Sequence, residues 1–367
     1  MWYAAICAIA KNETPFLEEW TRFHLSIGFE HIFVYDNGSD IPVSSVLAEF
    51  IRAGLVTAID FPGTEDQQRR AYMDFLHRFG TRCRWTAFID LDEFVVPKTS
   101  DDIRDLLDGY ADFGGLGISW KIFGSCGHVK RPAGGVIDNY DRVIEKNCHI
   151  KSIVQPERVN ALFTSHNFGY KDGYFCVNED GIPIATHQSY HVSRTVQINH
   201  YFYKSLEDFT IKIKKGSALG PNRLDLSWFM RQQGTSGELD AAAQKLAART
   251  GCARATVQTI ARILNDCERP SGEFLALLTD SIAVGKTALT SQLLKRYLRY
   301  HDDPIAHLIA AKVSLSSGDS VTFLMHMQRL LCDVGNPLRN EAFALLADFY
   351  EARQETQTAA DLRRLQE

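Results

Sequence analysis

The sequence lacks the patterns that mark several large protein classes. None of the eight cysteines forms a C-x-x-C pair, which argues against a zinc ribbon or a thioredoxin-like site. No apolar run approaches the length of a membrane span. The formal net charge of -5 gives no general attraction to nucleic acid or to an anionic membrane. The first ten residues lack the basic start of a signal peptide. These absences predict a cytoplasmic protein with reduced thiols that binds no nucleic acid.

The pattern that is present predicts an α/β fold. The chain has 367 residues, 45% of them hydrophobic and 23% charged, which is ordinary for a globular protein of two domains. Over the first 96 residues, four apolar strands alternate with three amphipathic helices, which is typical of a parallel, doubly wound sheet. The dinucleotide-binding pattern G-x-G-x-x-G is absent, which disfavours a nicotinamide-binding domain. The predicted strands cover residues 3–10, 31–35, 55–61 and 85–96, and the helices about 14–27, 43–53 and 65–79.

The composition then changes twice along the chain. From 114 to about 202 the predicted strands are shorter and rich in glycine, aromatic residues and histidine. After about 235 the chain is rich in Ala and Leu and predicted to be helical. We therefore predict a sheet domain over 1–225 and a helical appendage over 236–367. Two helical hairpins, 304–331 and 337–363, have a spacing near that of tetratricopeptide repeats.

Two carboxylates end the fourth predicted strand. Asp90 and Asp92 are separated by one residue, so on an extended backbone both side chains would point to the same side. Two adjacent carboxylates repel unless a cation lies between them, and hard oxygen ligands suit Mg²⁺ or Mn²⁺. The alternative is an acidic turn exposed to solvent. The pair lies at the carboxyl end of a strand, where α/β sheets bind their ligands, and this position favours a site.

The second predicted strand ends in a turn-rich loop at the same edge of the sheet. The loop, 36–40, reads Asp-Asn-Gly-Ser-Asp. An ordinary turn and a ligand-binding loop explain this composition equally well, and both alternatives stay open.

Several segments, in order, resemble the GT-A glycosyltransferases, and most closely their family-2-like and family-92-like group. The resemblance covers residues 3–225, and the helical region lies outside it. It is carried by the opening segments 10–13, 24–28 and 34–39, by W-x-x-x-x-D-x-D-E-F at 85–94, by W-x-x-F-G-S-x-G-H at 120–128, by K-S-I-V-x-P at 151–156, by I-N-H-Y-x-x-K-S at 198–205 and by the basic turn at 212–216.

The resemblance implies transfer of a sugar from a nucleotide-sugar donor, UDP-linked in our prediction, to a glycan or lipid-linked acceptor. A cation, Mn²⁺ or Mg²⁺, would bridge the two aspartates and the diphosphate. Asp92 would bind the metal directly, and Asp90 would contact the ribose or a metal-bound water and share in the metal site. His200 is the predicted third metal ligand, and His166 is the second candidate for that place.

The resemblance also implies a nucleotide pocket with further residues. Asp36 would lie near the base and ribose, and Asn12 and Glu13 would line the same pocket. Lys204 is predicted to contact the donor, and Lys212, Lys214 and Lys215 either add positive charge near the diphosphate or form a solvated helix face.

An inverting transferase needs a base for the acceptor hydroxyl, and the family suggests inversion. Glu145, Asp138 and His128 are the candidates, and the sequence does not choose among them. A lipid-linked acceptor would require peripheral docking at the inner face of the membrane.

Two rival hypotheses remain open. In the first, the chain is a catalytically degenerate module that binds a nucleoside diphosphate. In the second, the helical region is the working part and docks a protein partner. Deletion of 236–367 separates the second hypothesis from catalysis by the sheet domain.

Overall fold

The computed structural model describes residues 1–190, 193–215, 224–232, 237–252, 256–261, 287–333 and 335–365. The chain divides into two compact units, Met1–Ala261 and Arg262–Glu367.

The first unit is built mainly of strands, and its described residues form thirteen of them. They are β1 (Trp2–Ala10), β2 (His31–Asp36), β3 (Val56–Asp60), β4 (Cys83–Phe88), β5 (Glu93–Pro97), β6 (Gly115–Phe123), β7 (Arg142–Val154), β8 (Val159–Leu162), β9 (Phe168–Tyr170), β10 (Cys176–Val177), β11 (Pro183–Ile184), β12 (Val196–His200) and β13 (Glu238–Leu239).

Helices connect and cover these strands. They are α1 (Thr14–Ser26), α2 (Val43–Val46), α3 (Ala48–Arg52), α4 (Gln67–Arg78), α5 (Ile103–Asp108), α6 (Val136–Asn139), α7 (Leu206–Lys215), α8 (Leu226–Gln232) and α9 (Ala242–Thr250).

One mixed sheet organises the first unit. Strands β3, β2, β1 and β4 lie side by side in that order and are parallel. Beyond β4 the order continues with β7 and β6, where β7 is antiparallel to both neighbours. Strand β12 runs parallel to β6 and antiparallel to β5. The predicted α/β class, with a sheet domain followed by a helical region, is confirmed.

The local sequence explains why the first strand and helix form. Strand β1 is apolar almost throughout and buried between its two parallel neighbours. Helix α1 has Pro15 in its first turn, where no backbone N–H bond is lost, and Gly28 follows it with a φ of +97°. Its apolar stripe, which includes Trp20 and Phe23, is fully buried. The burial of this stripe holds α1 against the sheet, and so fixes the helix relative to the edge at which β1, β2 and β4 end.

The acidic segment differs from its prediction as one strand over 85–96. The structure breaks it into β4 and β5, and residues 89–92 form a turn in which the N–H of Glu93 donates to the carbonyl of Asp90 at 3.1 Å. The extended-strand argument for the alternation of Asp90 and Asp92 is therefore wrong. The physical reason is that β4 pairs with β1 and β7, whereas β5 leaves that ladder to pair with β12.

The residues after 236 begin within the first unit. Strand β13 pairs with β7, and helix α9 packs against α1 and β5. The Gln244 amide donates to the carbonyl of Ile137 at 2.7 Å, and the Arg249 guanidinium donates to Asp101 at 2.7 Å. The division between the compact units thus comes after 261, later than the predicted boundary near 236.

The second unit is helical over its described residues. Its helices are α10 (Thr287–Leu298), α11 (Pro304–Ser316), α12 (Ser320–Cys332), α13 (Arg339–Glu351) and α14 (Thr356–Arg364). Phe323, Met327 and Phe349 lie in its buried core. The pairs α11–α12 and α13–α14 pack as the hairpins that the sequence predicts, with Gly318 and Gln354 in the left-handed region at the two turns. No helix in the described ranges is both long enough and apolar enough to cross a bilayer.

Candidate functional site

A cavity of about 430 Å³ lies at the carboxyl edge of the parallel strands. Its wall joins the ends of β1 and β2, the turn between β4 and β5, the end of β12 and helix α7. The lining residues are Ile9, Ala10, Lys11, Glu13, Asn37, Gly63, Thr64, Gln68, Asp90, Leu91, Asp92, Trp120, Ser165, His166, His200, Phe202, Lys212, Lys215 and Leu224. Asp90, Asp92, His200, His166 and Glu13, all predicted from the sequence, therefore share one cavity.

Asp92 is the most strongly stabilised carboxylate of this cavity. Its Oδ2 accepts a hydrogen bond from Lys212 Nζ at 2.8 Å, and its Oδ1 lies 3.5 Å from His200 Nε2. Burial raises the pKa of Asp92, but Lys212, His200 and Lys204 lower it more, so that the pKa ends well below its usual range. Asp92 is therefore ionised at neutral pH.

His200 is held opposite Asp92 by the backbone. It pairs with Glu93 in the antiparallel ladder of β5 and β12, and the next residue, Tyr201, donates its N–H to the carbonyl of Asp92 at 2.8 Å. Burial lowers the pKa of His200, although the Asp92 carboxylate opposes that shift. A neutral imidazole therefore faces an ionised carboxylate, which is the protonation state that metal ligation requires.

Asp90 is held on both of its oxygens. Gln68 Nε2 donates to Oδ1, and Lys151 Nζ donates to Oδ2 at 3.0 Å. Its backbone N–H donates to Glu93 Oε2 at 3.0 Å. Lys151 and Glu93 are almost fully buried, whereas the Asp90 side chain is about one-third exposed, at 32%. Asp90 is thus anchored by the protein at the cavity wall.

Lys151 and Glu93 form a buried ionic core behind the acidic turn. Burial lowers the pKa of Lys151, but Asp90 and Glu93 raise it more, so that the pKa ends above its usual value. Burial raises the pKa of Glu93 well above its usual value, and Asp90 and Asp92 add to that shift while Lys151 opposes it. Lys151 therefore places a positive charge directly behind the acidic turn.

The fit of a divalent cation can be tested on these distances. Adjacent ligands of an octahedral Mg²⁺ at about 2.1 Å are roughly 3 Å apart, close to the 3.5 Å between Asp92 Oδ1 and His200 Nε2. The described residues contain no group of three or more His, Cys, Asp or Glu placed to hold a metal. Two protein ligands nevertheless suffice for a cation that takes its other ligands from water and substrate phosphates. Asp92 and His200 fit such an ion.

His166, the second candidate for the metal, has a different environment. Its Nδ1 lies 2.9 Å from the carbonyl oxygen of Ile150. Burial and the Lys151 ammonium lower the pKa of His166 to about 4. His200 faces the Asp92 carboxylate at 3.5 Å, whereas the His166 ring is hydrogen-bonded to a neutral backbone carbonyl, so His200 is the better placed of the two for a metal.

Helix α7 brings two lysines to the cavity from its last turn. Lys212 contacts Asp92, and Lys215 forms an ion pair with Glu13 at the start of α1. Lys214, on the same helix, is exposed and does not line the cavity. The arrangement can place two ammonium groups against an anionic ligand.

Lys204 lies behind this wall and outside the cavity lining. It is 6% exposed, has a φ of +50°, and places Nζ 4.6 Å from the ring centre of Phe16. Burial lowers the pKa of Lys204, and Asp92 and Glu13 oppose that shift. Its predicted contact with the donor stays a prediction.

Asp36 and Asn12 are anchored in the loop that follows β2. The two Asp36 oxygens accept the N–H groups of Ser39 and Val43, both at 2.9 Å. Asn12 Oδ1 accepts the N–H of Asp40 at 2.8 Å. Neither residue lines the cavity, whereas Asn37 does. The structure thus shows these two side chains shaping the loop, and their contact with a nucleotide stays a prediction.

The three base candidates lie away from the cavity. Asp138 and Glu145 are exposed, and the Glu145 carboxylate accepts a hydrogen bond from Asn147 at 2.6 Å. The ring of His128 packs edge-on against Tyr140 at 5.5 Å. None of the three lines the cavity. The structure therefore does not bring them to the aspartates.

Several residues of the site were not assigned from the sequence, among them Gln68, Trp120 and Lys151. Lys151 had a visible signal, because it lies in a mostly apolar strand segment, 150–154, where a charged residue is expected only with a buried partner. Gln68 had no such signal in the sequence, because a glutamine near the start of an amphipathic helix is ordinary.

A comparison with known families decides the assignment. The family model of glycosyltransferase family 92 matches residues 5–223, which is more than half of the chain. The chain belongs to glycosyltransferase family 92. The predicted resemblance to the family-92-like group of glycosyltransferases is thereby confirmed.

Individual relatives of this family 92 domain are similar over part of their length. A family 92 protein of Ricinus communis is 32% identical over 215 residues, which are 56% of this chain and 38% of the relative. A galactan β-1,4-galactosyltransferase of Arabidopsis thaliana is 30% identical over 109 residues, which are 26% of this chain and 22% of the relative. The chain thus spans well under half of the curated relatives that it matches.

The match to solved structures is weak. The structure of Staphylococcus aureus TarS 1–349 in complex with UDP has 11% sequence identity and a TM-score of 0.32, over 90% of this chain and 91% of TarS. Similarity at this level supports no conclusion about the family 92 domain.

Proposed function

We propose that this chain transfers a sugar from a nucleotide-sugar donor, UDP-linked, to a hydroxyl of a glycan or lipid-linked acceptor, with inversion at the anomeric carbon. The observation that carries the proposal is the grouping of Asp92, His200 and Lys212 on one wall of the cavity of a family 92 domain. The 109-residue similarity to a galactan β-1,4-galactosyltransferase makes a galactosyl nucleotide the first donor to test.

The charges on the cavity wall support a diphosphate as the ligand. Lys212 and Lys215 pair with Asp92 and Glu13 in the protein alone, so each ammonium already faces an anionic oxygen. A diphosphate can bind to these ammonium groups beside the carboxylates, because an ammonium has three N–H donors and phosphate oxygens accept the same charge-assisted hydrogen bonds. The lysines would then stabilise the negative charge that develops on the leaving nucleoside diphosphate.

A divalent cation, Mn²⁺ or Mg²⁺, completes the proposed site. Asp92 and His200 would hold it, and when bound it would neutralise charge on the diphosphate oxygens. Asp90 serves a different purpose in this proposal, because both of its oxygens already accept hydrogen bonds from Gln68 and Lys151. It gives the cavity a fixed acceptor for a donor hydroxyl.

Calorimetric titration with UDP tests the proposal. Wild-type protein is expected to bind UDP in the presence of Mn²⁺ and to lose most of that affinity in EDTA. Asp92→Asn keeps the size of the side chain and removes its charge, so it should lose the effect of Mn²⁺. Asp172→Asn, an exposed aspartate outside the cavity, is the matched control and should bind as wild type does.

Each outcome has a distinct meaning. Binding that is equally tight in EDTA would contradict the metal site and leave the lysines as the diphosphate ligands. Absence of UDP binding under every condition would contradict the proposed donor. Binding without any turnover of UDP-galactose or UDP-glucose would favour the catalytically degenerate module over the transferase.

A further inference from the structure

The base that an inverting transferase needs can be sought among the residues of the cavity, since the three candidates from the sequence lie outside it. The assignment of this base rests on the function proposed above. Among the described residues, the side chains of the lining that can accept a proton are Glu13, Asp90, Asp92, His166 and His200.

Four of these five groups already face a partner that limits their use as a base. Glu13 pairs with Lys215, and Asp90 pairs with Lys151. Asp92 pairs with Lys212, and His200 faces Asp92 across 3.5 Å in the proposed metal site. A carboxylate oxygen that already accepts a hydrogen bond from an ammonium has that lone pair occupied, whereas a proton acceptor needs a free lone pair. His166 remains.

The order of the strands places His166 on the side of β4 that faces away from β1 and β2. The ends of β1 and β2, with Lys11 and Asn37, form one end of the cavity, and the acidic turn follows β4. Strand β7 lies on the other side of β4 from β1, and the ring of His166 is hydrogen-bonded to the carbonyl of Ile150 on β7. A donor whose nucleoside lies over β1 and β2 and whose diphosphate lies at Asp92 would direct its sugar toward β7.

Hydrogen bonds fix the tautomer and the position of the His166 ring. A carbonyl oxygen only accepts, so the contact of 2.9 Å with Ile150 requires the proton on Nδ1 and leaves the lone pair on Nε2. The His166 carbonyl accepts from Ser152 Oγ at 2.7 Å, and its N–H donates to Thr164 Oγ1 at 3.1 Å. The Trp120 ring packs edge-on against the imidazole at 5.3 Å. The ring is thus oriented before any ligand binds.

The charged groups around His166 keep it neutral. Burial and the Lys151 ammonium lower its pKa to about 4, His149 acts in the same direction, and Asp90 opposes them. At neutral pH the lone pair on Nε2 is therefore present in nearly every molecule. Asp90 would stabilise the imidazolium once a proton has arrived.

We propose that His166 Nε2 is the proton acceptor for the attacking hydroxyl. The hydroxyl oxygen forms the new bond to the anomeric carbon as its proton passes to Nε2. The bond from the anomeric carbon to the diphosphate oxygen breaks, and its electron pair leaves with the nucleoside diphosphate. The imidazolium then returns its proton to solvent. With water in place of the acceptor, the same step hydrolyses the donor.

Hydrolysis of UDP-galactose and UDP-glucose tests this assignment without the natural acceptor. His166→Asn removes Nε2 and keeps an N–H donor for the Ile150 carbonyl. It should lower the turnover of UDP release by about 100-fold or more, the usual contribution of a general base, with the Kd for UDP unchanged. Imidazole added to His166→Ala should restore part of the turnover. His187→Asn, an exposed histidine outside the cavity, is the matched control and should behave as wild type does.

The outcomes separate this assignment from the proposed function. Turnover of His166→Asn within threefold of wild type would overturn the assignment alone. Loss of turnover in His166→Ala that imidazole does not restore, together with a weakened Kd for UDP, would show a structural role and also overturn it. Failure of the wild-type protein to release UDP from either sugar would overturn the proposed function and the assignment together.

Discussion

Lys151 Nζ lies 3.0 Å from Asp90 Oδ2, and the lysine side chain is only 1% exposed. The same ammonium lies 3.7 Å from Glu93 Oε2. One buried cation therefore serves two carboxylates of the acidic turn, and it does so from β7, the strand next to β4. The turn that carries Asp90 and Asp92 is thus tied to the sheet by charge as well as by its backbone.

Lys151→Met should destabilise the first unit strongly. Removal of the ammonium leaves Asp90 without its counter-charge and takes a polar neighbour away from buried Glu93, and the loss of a buried partner typically costs about 3–5 kcal/mol. Urea-induced unfolding measures the free energy of unfolding of the variant against that of wild type. Lys146→Met, on the same strand, is the matched control, since its pair with Glu238 is exposed and should contribute less than about 1 kcal/mol. Equal losses in the two variants would contradict this explanation of the turn.

Lys212→Met and Lys215→Met should each weaken the binding of UDP. Each change removes one ammonium from the cavity wall, and we expect a loss of about tenfold in Kd, or about 1.4 kcal/mol, for one charge-assisted hydrogen bond. Lys214→Met removes the same charge from the exposed side of α7 and should leave the Kd within about twofold. Calorimetry at constant ionic strength makes the comparison. A similar loss in all three variants would show that only the general charge of the helix matters.

The free energy of unfolding should fall on acidification through His24. This histidine is fully buried, donates from Nδ1 to the Trp20 carbonyl at 2.8 Å, and accepts the N–H of Val95 at Nε2. Burial lowers the pKa of His24 to about 3. Between the ordinary pKa of about 6.5 and this value, the unfolded chain binds more protons than the folded one, so stability is present above pH 6.5 and is lost as the pH falls.

Denaturation at pH 7 and pH 5 measures this effect. Wild type should lose about 2 kcal/mol between the two values through His24. Over the same pH interval, the fall in the free energy of unfolding of His24→Gln should be smaller than that of wild type by about 2 kcal/mol, whatever the stability of the variant at pH 7. His77→Gln, an exposed histidine, is the control and should retain the full loss. An identical pH dependence in wild type and His24→Gln would show that His24 does not carry it.

The sequence predicted the sheet well because the signals there are local. Strands β1 to β4 and their helices follow from apolar periodicity, from Pro15 and from Gly28. The acidic turn was predicted as a straight strand, because nothing in 85–96 shows that the chain leaves β1 at Phe88 and joins β12 at Glu93. That change of partner is a property of the whole sheet.

Only part of the site could be predicted, because local motifs were visible in the sequence and the order of the strands was not. Asp92 and His200 were both named from motifs, and the ladder of β5 and β12 brings them to 3.5 Å. The base candidates were chosen by residue type near the motifs, and Glu145 and Asp138 lie on the surface because their elements present those positions to solvent. Long-range partners such as Lys151 and Asp90 could be found only when the order of the strands was known.

The ladder between β5 and β12 sets the distance from Asp92 to His200, and the loops at the other end of the cavity take no part in it. Asn37 and Gly63 lie in those loops, which follow β2 and β3. The loop end of the cavity can therefore change in length and composition while Asp92 and His200 keep their spacing. If the proposed function holds, grafting of the 61–66 loop alone should alter the choice of nucleotide and leave the proposed metal ligands in place.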